Sequence, residues 1–87
     1  MKKVNFKTIT IKDINGNDIV ADSQKQLGNQ LYMQGQNIEE CELGKKIYFT
    51  PDDEATELDD KEVAIVRKAV QGYSYVARTA IEEALGE

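Results

Sequence analysis

The spacing of apolar residues changes once along this chain, close to Asp22, and this change limits the folds that the chain can adopt. Residues 3–12 are rich in β-branched and aromatic side chains that alternate over short intervals, which is typical of a β-strand. After Asp22 the apolar residues recur every three or four positions, as in an amphipathic helix. The pattern predicts a single α+β domain over residues 1–87, with an N-terminal β-hairpin followed by three or four short helices ending in a helical hairpin.

The hairpin is predicted from the segment that follows the first strand. Asn15-Gly16 is the preferred dipeptide for a tight hairpin turn because both residues tolerate positive φ, and Ile19 and Val20 begin the returning strand. Within residues 3–12 the apolar side chains shift from even to odd positions, which predicts a bulge or a strand covered on both faces.

The same turn superficially resembles a calcium-binding loop, since Asp13, Asn15 and Asn17 fall at alternate positions. An EF-hand needs glycine at its sixth position and a bidentate glutamate at its twelfth, but this chain has Asp18 and Gln24 there. The segment is therefore interpreted as a plain turn.

A first helix is predicted over residues 23–34, where Asp22 or Ser23 provides the cap and Gly35 the end. Gly28 lowers the helix propensity of this segment, so it either marks a close contact with the sheet or has no special role.

A second helix is predicted over residues 38–48, with Asn37 as its cap and Glu40 reaching back to the Asn37 amide. Two sets of apolar residues can face inward, namely Ile38, Cys41 and Tyr48, or Leu43 and Ile47. Residues 46–50 also fit a strand, so both interpretations of this segment stay open.

The carboxyl-terminal half begins with a loop, Pro51-Asp52-Asp53-Glu54. A helix then starts with Asp59 as its cap, Glu62 at its third position and a hydrophobic contact between Leu58 and Val63. This third helix runs to about Gln71, and its inward stripe is Val63, Ile65, Val66, Ala69 and Val70.

Ser74 caps the last helix, whose inward stripe is Val76, Ala77, Ala80, Ile81, Ala84 and Leu85, with Arg78, Glu82 and Glu83 facing outward.

The residue types and motifs that most active sites use are largely absent from the chain. It has no histidine, one cysteine and no glycine-rich phosphate loop, so general-base catalysis near neutral pH and transition-metal ligation have few residues to use. Cys41 lies between Glu40 and Glu42 and is interpreted as a partly buried apolar residue. The composition therefore predicts a binding protein with no catalytic residues, no cofactor and no metal.

The net charge and the hydropathy of the chain limit the classes of partner that it is expected to bind. Lysine and arginine number 11 against 16 acidic residues, and the net charge of −5 argues against nonspecific binding to nucleic acid or to anionic lipid. No stretch approaches the ~20 apolar residues of a membrane span, and Met1-Lys2-Lys3 leads directly into a strand pattern, so a cytoplasmic protein is expected. The expected partner is a protein, either a second copy of the chain or a basic protein.

Acidic residues supply the candidate partner-binding site. Residues 39–62 hold ten of the sixteen carboxylates, and the candidates are Glu39, Glu40, Glu42, Asp52, Asp53 and Glu54. They fit an acidic inhibitor that presents carboxylates to a basic protein surface in place of phosphates, while the simpler interpretation is that they solvate loops and helix ends. A second alternative is a small DNA-binding regulator that uses the carboxyl-terminal helix pair, although Glu82, Glu83 and Glu87 oppose it.

Three stretches carry a resemblance to known proteins: Val4-Asn5-Phe6-Lys7, Leu27-Gly28-Asn29-Gln30-Leu31-Tyr32 and Glu57-Leu58-Asp59-Asp60-Lys61-Glu62-Val63. With them the chain resembles small bacteriophage and prophage accessory proteins. The resemblance covers most of the chain but includes no functional motif, so it implies no site residues. It implies a non-enzymatic role in phage assembly or in manipulating a host protein through surface contacts.

Overall fold

The computed structural model of the protein describes residues 2–86. Over that range the elements are β1 (Lys2–Val4), β2 (Ile9–Lys12), β3 (Asp18–Ala21), α1 (Gln24–Gln34), α2 (Ile38–Tyr48), β4 (Thr56–Leu58), α3 (Asp60–Ala69), a 3-10 turn (Val70–Gly72) and α4 (Tyr75–Ala84). The predicted α+β class is confirmed, with the hairpin at the amino-terminal end and two helices at the other.

The β2–β3 hairpin has a longer turn than the sequence predicts. The two strands pair antiparallel from Ile9 opposite Ala21 to Lys12 opposite Asp18, and the Asp13 amide donates to the Asn17 carbonyl at 2.9 Å. Gly16 has a φ of +86°, whereas Asn15 is not in the left-handed region, so the expected two-residue turn is wrong. The Asp13 carboxylate accepts from the amide of Asn17 and from that of Asn15, which lowers the Asp13 pKa and identifies the segment as a self-capped turn.

The predicted first strand is divided between two sheets. β1 pairs with β4, whereas β2 pairs with β3, and a turn separates β1 from β2 where the Thr8 amide donates to the Asn5 carbonyl. The shift in apolar phase therefore reflects a chain reversal, and the predicted bulge or doubly covered strand is wrong. Phe6 lies in this turn with its side chain buried in the core, which explains why the pattern looked continuous.

α1 and α2 form an antiparallel pair, and their starts are capped in different ways. Ser23 precedes α1, but its hydroxyl donates to the Phe6 carbonyl, and the Asp22 carboxylate accepts from the Gln24 amide instead. Asn37 caps α2 by accepting from the Glu40 amide at 2.9 Å, as predicted. The Glu40 carboxylate accepts from the Gln36 amide, and not from the Asn37 amide as expected.

The open question about residues 38–48 is resolved in favour of the helix. Leu43 and Ile47 are the inward residues, and Ile38 is largely exposed. Residues 46–50 finish this helix and the turn after it, so the strand alternative is wrong.

α3 begins as the sequence predicts. The Asp59 carboxylate accepts from the Glu62 amide at 2.8 Å, and the Glu62 carboxylate accepts from the Asp59 amide at 2.9 Å, which completes a capping box. Glu62 also accepts from the Lys46 ammonium at 3.1 Å, so the start of α3 is tied to α2.

Asp59→Ala is expected to lower the free energy of unfolding by about 1 kcal/mol, because the Glu62 amide loses its acceptor at the helix end. Asp53→Ala removes the same charge from the exposed loop and is the control, with an expected change within about 0.5 kcal/mol. Denaturant unfolding measures both, and equal losses in the two variants would contradict the cap.

α4 packs mainly against β2 and the 3-10 turn. The Ser74 hydroxyl accepts from the Ala77 amide at 3.3 Å, so the predicted cap is present. Ile81 and Leu85 are buried, but Val76 and Ala84 are exposed, so the predicted inward stripe is wrong at those two positions.

One core joins the two sheets to the helices. Its buried apolar residues are Val4, Phe6, Ile9, Leu27, Leu31, Leu43, Ile47, Leu58, Val66, Val70, Ile81 and Leu85. The Tyr73 hydroxyl lies at the edge of this core with no hydrogen-bond partner among residues 2–86, and burial raises the Tyr73 pKa.

Tyr73→Phe is expected to raise the free energy of unfolding by about 1 kcal/mol, because it removes an unsatisfied buried hydroxyl. The raised pKa also means that the unfolded state ionises first, so the stability of the parent protein falls from about pH 10 upward. The free energy of unfolding of Tyr73→Phe should fall less steeply with rising pH. Tyr75→Phe, on an exposed side chain, is the control, and unfolding curves near pH 8 and above pH 10 make the comparison. A destabilised Tyr73→Phe would contradict the unsatisfied hydroxyl.

Candidate functional site

The three acidic candidates on α2 all interact with other groups of the chain. The Glu39 carboxylate lies 2.6 Å from the Lys61 ammonium, and the Glu42 carboxylate lies 3.4 Å from that of Lys45. Glu40 caps the backbone before the helix. These three residues stabilise the first turns of α2 and its contact with α3.

The other three acidic candidates lie beyond the opposite end of the same helix. Asp52, Asp53 and Glu54 are exposed in the loop after Pro51. An eleven-residue helix spans about 16 Å, so α2 separates the two groups. The structure thus divides the predicted tract in two and intersperses it with lysines, and binding to a basic partner stays a prediction.

The carboxyl-terminal helix pair has few features of a DNA-reading motif. α4 lies mainly against β2, and the Arg78 guanidinium stacks 5.5 Å from the centroid of the Tyr75 ring. Glu82 and Glu83 follow on the same helix. Phosphate neutralisation needs a cluster of cations, and α4 provides one arginine.

A different surface is built where α1 crosses α2. A Cβ placed on Gly44 would lie 2.6 Å from the Gly28 carbonyl oxygen, and one placed on Gly28 would lie 2.9 Å from the Gly44 carbonyl oxygen. The two backbones are therefore closer than any larger residue permits. Gly28 does mark a close contact, but with the second helix and not with the sheet as expected.

Aromatic side chains stand on both sides of this crossing. Gly28 and Gly44 form the floor of an open groove of about 300 Å³, and the remaining lining residues are Asn29, Tyr32, Lys45, Tyr48 and Phe49. The Tyr48 and Phe49 rings meet edge to face with centroids 5.0 Å apart. Phe49 is 71% exposed. The groove therefore presents apolar ring surface to solvent.

The charges at the groove are positive. The Lys25 ammonium lies 4.1 Å from the centroid of the Tyr48 ring, and the Lys45 ammonium lies 5.8 Å from that of Tyr32. None of the described lining residues is a carboxylate. The groove thus carries two lysines beside its rings, of which Lys45 also lies 3.4 Å from the Glu42 carboxylate.

The groove is held in place by the polar cap of α2. The buried Gln24 side chain donates to the carbonyls of Ile47, Tyr48 and Thr50 at 2.9, 3.2 and 2.8 Å. The Thr50 hydroxyl donates to the Lys46 carbonyl, and the Lys25 ammonium donates to that of Tyr48. These bonds satisfy carbonyls that a helix end leaves without partners and thereby fix Tyr48 and Phe49 beside α1.

The sequence contains a signal for this groove that the pattern of core residues concealed. Gly28 is followed by Tyr32, and Gly44 is followed by Tyr48, each pair four residues apart. Residues at this spacing share one face of a helix, so both glycines and both tyrosines fall at one helix crossing. Cys41, on the same helix pair, is half-buried with its Sγ 3.5 Å from the Tyr32 carbonyl oxygen.

No protein-family model, curated protein or solved structure matches the chain. Within residues 2–86, no helix has the length and apolar character needed to cross a membrane. The same residues bring together no group of three or more acidic or thiol side chains suited to hold a metal ion.

Proposed function

We propose that the protein is a non-enzymatic binding module whose α1–α2 groove receives a short segment of a partner protein. The segment carries an apolar side chain next to a carboxylate. The observation that supports this proposal is the open aromatic groove over Gly28 and Gly44, flanked by two lysines. A phage or mobile-element accessory role and a cytoplasmic setting belong to the same proposal and rest on the resemblance and on the composition.

An apolar side chain suits the groove because aromatic rings line it. Exposed aromatic surface is costly in water and supplies much of the energy of protein interfaces. Tyr32 and Phe49 are the exposed anchors, and the buried glycines Gly28 and Gly44 let the two helices that carry them pack closely together.

A carboxylate suits the rim because the Lys25 and Lys45 ammonium groups lie next to the rings, where an incoming carboxylate would share Lys45 with the exposed Glu42. The acidic side chains of the chain elsewhere repel an acidic partner, so these two lysines direct it to the groove. Nucleic acid is less favoured, since two lysines on a chain of net charge −5 neutralise few phosphates.

A display library of short peptides, panned on the folded protein, tests the proposal. Enriched peptides are expected to combine an aromatic or aliphatic residue with Asp or Glu, and to lose binding at least about tenfold against Phe49→Ser, as expected for an anchor residue. Lys45→Gln should weaken binding and reduce its salt dependence.

Tyr75→Ser is the matched control, because Tyr75 on α4 is 71% exposed, as Phe49 is. The proposal would be overturned by peptides that bind Phe49→Ser as tightly as they bind the parent protein, or by a library from which no peptide is enriched. Tighter binding of a single-stranded oligonucleotide, lost in Phe49→Ser, would replace it with a nucleic-acid function.

A further inference from the structure

We propose that a second copy of the chain pairs with the free edge of β3, so that two hairpins form one four-stranded antiparallel sheet. β3 pairs only with β2 among the strands of residues 2–86. A free edge presents unpaired amides and carbonyls to another strand.

The hydrogen-bonding direction along β3 follows from its register. The Asp13 amide bonds to Asn17, so the alternate pairs that follow, Ile11 with Ile19 and Ile9 with Ala21, also bond across the hairpin. The main-chain groups of Asp18 and Val20 therefore point away from β2. They have no partner among residues 2–86.

The side chains of β3 leave this edge open to a partner. Ile19 is 49% exposed and Val20 is 66% exposed. Asp18–Ala21 is short and begins with a charged residue, but it contains no proline, lysine or bulge, which are further devices that protect an edge strand. Ile19 lies on the face that Ile9 and Ile11 turn toward the core, so a second copy would extend an existing apolar surface.

Symmetry and charge select one register. A two-fold axis perpendicular to the sheet places a residue opposite itself, and the axis can pass through either Ile19 or Val20. The axis at Val20 sets Asp18 opposite Asp22 of the other copy, which is repulsive. The axis at Ile19 sets Asp18 of one copy opposite Val20 of the other, so the outward main-chain groups of these two residues can form hydrogen bonds. In this register the Asp18 carboxylate stays 2.7 Å from the Lys12 ammonium of its own copy. A second copy thus fits the edge through the Ile19-centred register.

Cysteine cross-linking tests the register in a Cys41→Ala background, which removes the native thiol. Ile19→Cys places two thiols opposite each other at a spacing that a disulfide can bridge, whereas Val20→Cys does not. Under mild oxidation Ile19→Cys is expected to form a covalent dimer about tenfold faster than Val20→Cys, as the geometric requirement of a disulfide implies. Equal rates, or no dimer from either variant, would overturn the proposal.

Sedimentation velocity of the unmodified chain provides a second readout, from micromolar to millimolar concentration. The mass is expected to rise toward twice 9.8 kDa, and Val20→Pro, which removes an outward amide, should keep it at one copy. Val20→Thr keeps the amide and should still associate. A chain that stays monomeric throughout would overturn self-pairing and leave the edge to a strand of another protein.

Discussion

Gly44→Ala is expected to lower the free energy of unfolding by about 2 kcal/mol, although alanine is the better helix former. The added Cβ would lie 2.6 Å from the Gly28 carbonyl oxygen and 2.7 Å from the Tyr32 amide nitrogen, and both atoms belong to the main chain. The helices must therefore separate, and overpacking of this kind costs about 1–3 kcal/mol or more. That cost exceeds the gain of about 1 kcal/mol in helix propensity.

Gly72→Ala is the matched control for this substitution. A Cβ on Gly72 meets no described atom within 4 Å. The free energy of unfolding of Gly72→Ala should therefore differ from that of the parent by no more than about 0.5 kcal/mol. Urea unfolding of both variants measures the difference, and a Gly44→Ala protein as stable as the parent would show that α1 and α2 do not cross at the glycines.

Gln24→Glu is expected to cost about 3 kcal/mol near neutral pH, which is the largest loss that we predict. The parent amide donates to three carbonyls at the end of α2 and is 2% exposed. A carboxylate there cannot donate and faces three carbonyl oxygens, and the Lys25 ammonium, which donates to the carbonyl of Tyr48, offsets only part of this cost. The buried acceptors would also lose their donor.

The loss in Gln24→Glu should depend on pH. Carbonyl repulsion and burial raise the pKa of the introduced carboxyl in the folded state above its unfolded value of about 4.3. The full loss is therefore present above the folded-state pKa and diminishes as the pH falls through it, because the protonated group has an O–H to donate. Gln26→Glu, exposed on the same helix, is the control and should show neither effect. A loss in Gln24→Glu that does not change with pH would contradict the buried cap.

The helices were predictable because their signals are local. Asn37 and Asp59 cap their helices through residues three positions away, and those contacts depend on the chain segment alone. β4 was missed for the opposite reason: Thr56–Leu58 is short and becomes a strand only by pairing with β1, more than fifty residues earlier. The turn at Phe6 was missed because a buried aromatic residue continues a strand-like pattern even where the chain reverses.

The candidate site shows the same division between local and non-local information. The six acidic candidates are close in sequence, yet α2 separates them, because a helix converts ten residues into about 15 Å. Tyr32 and Tyr48 are distant in sequence and come together only through the glycine crossing. Equal Gly-to-Tyr spacing in the two helices was visible, but its meaning depends on knowing that the helices pack against each other.

Amide chemical-shift mapping with a peptide selected on the parent protein tests the central claim, that the α1–α2 groove is the binding surface. The largest shifts are expected at the groove residues, above all Gly28, Tyr32, Gly44 and Phe49, with little change in β3 or in the loop after Pro51. Largest shifts in that acidic loop or along the β2–β3 hairpin, with the groove unperturbed, would contradict it.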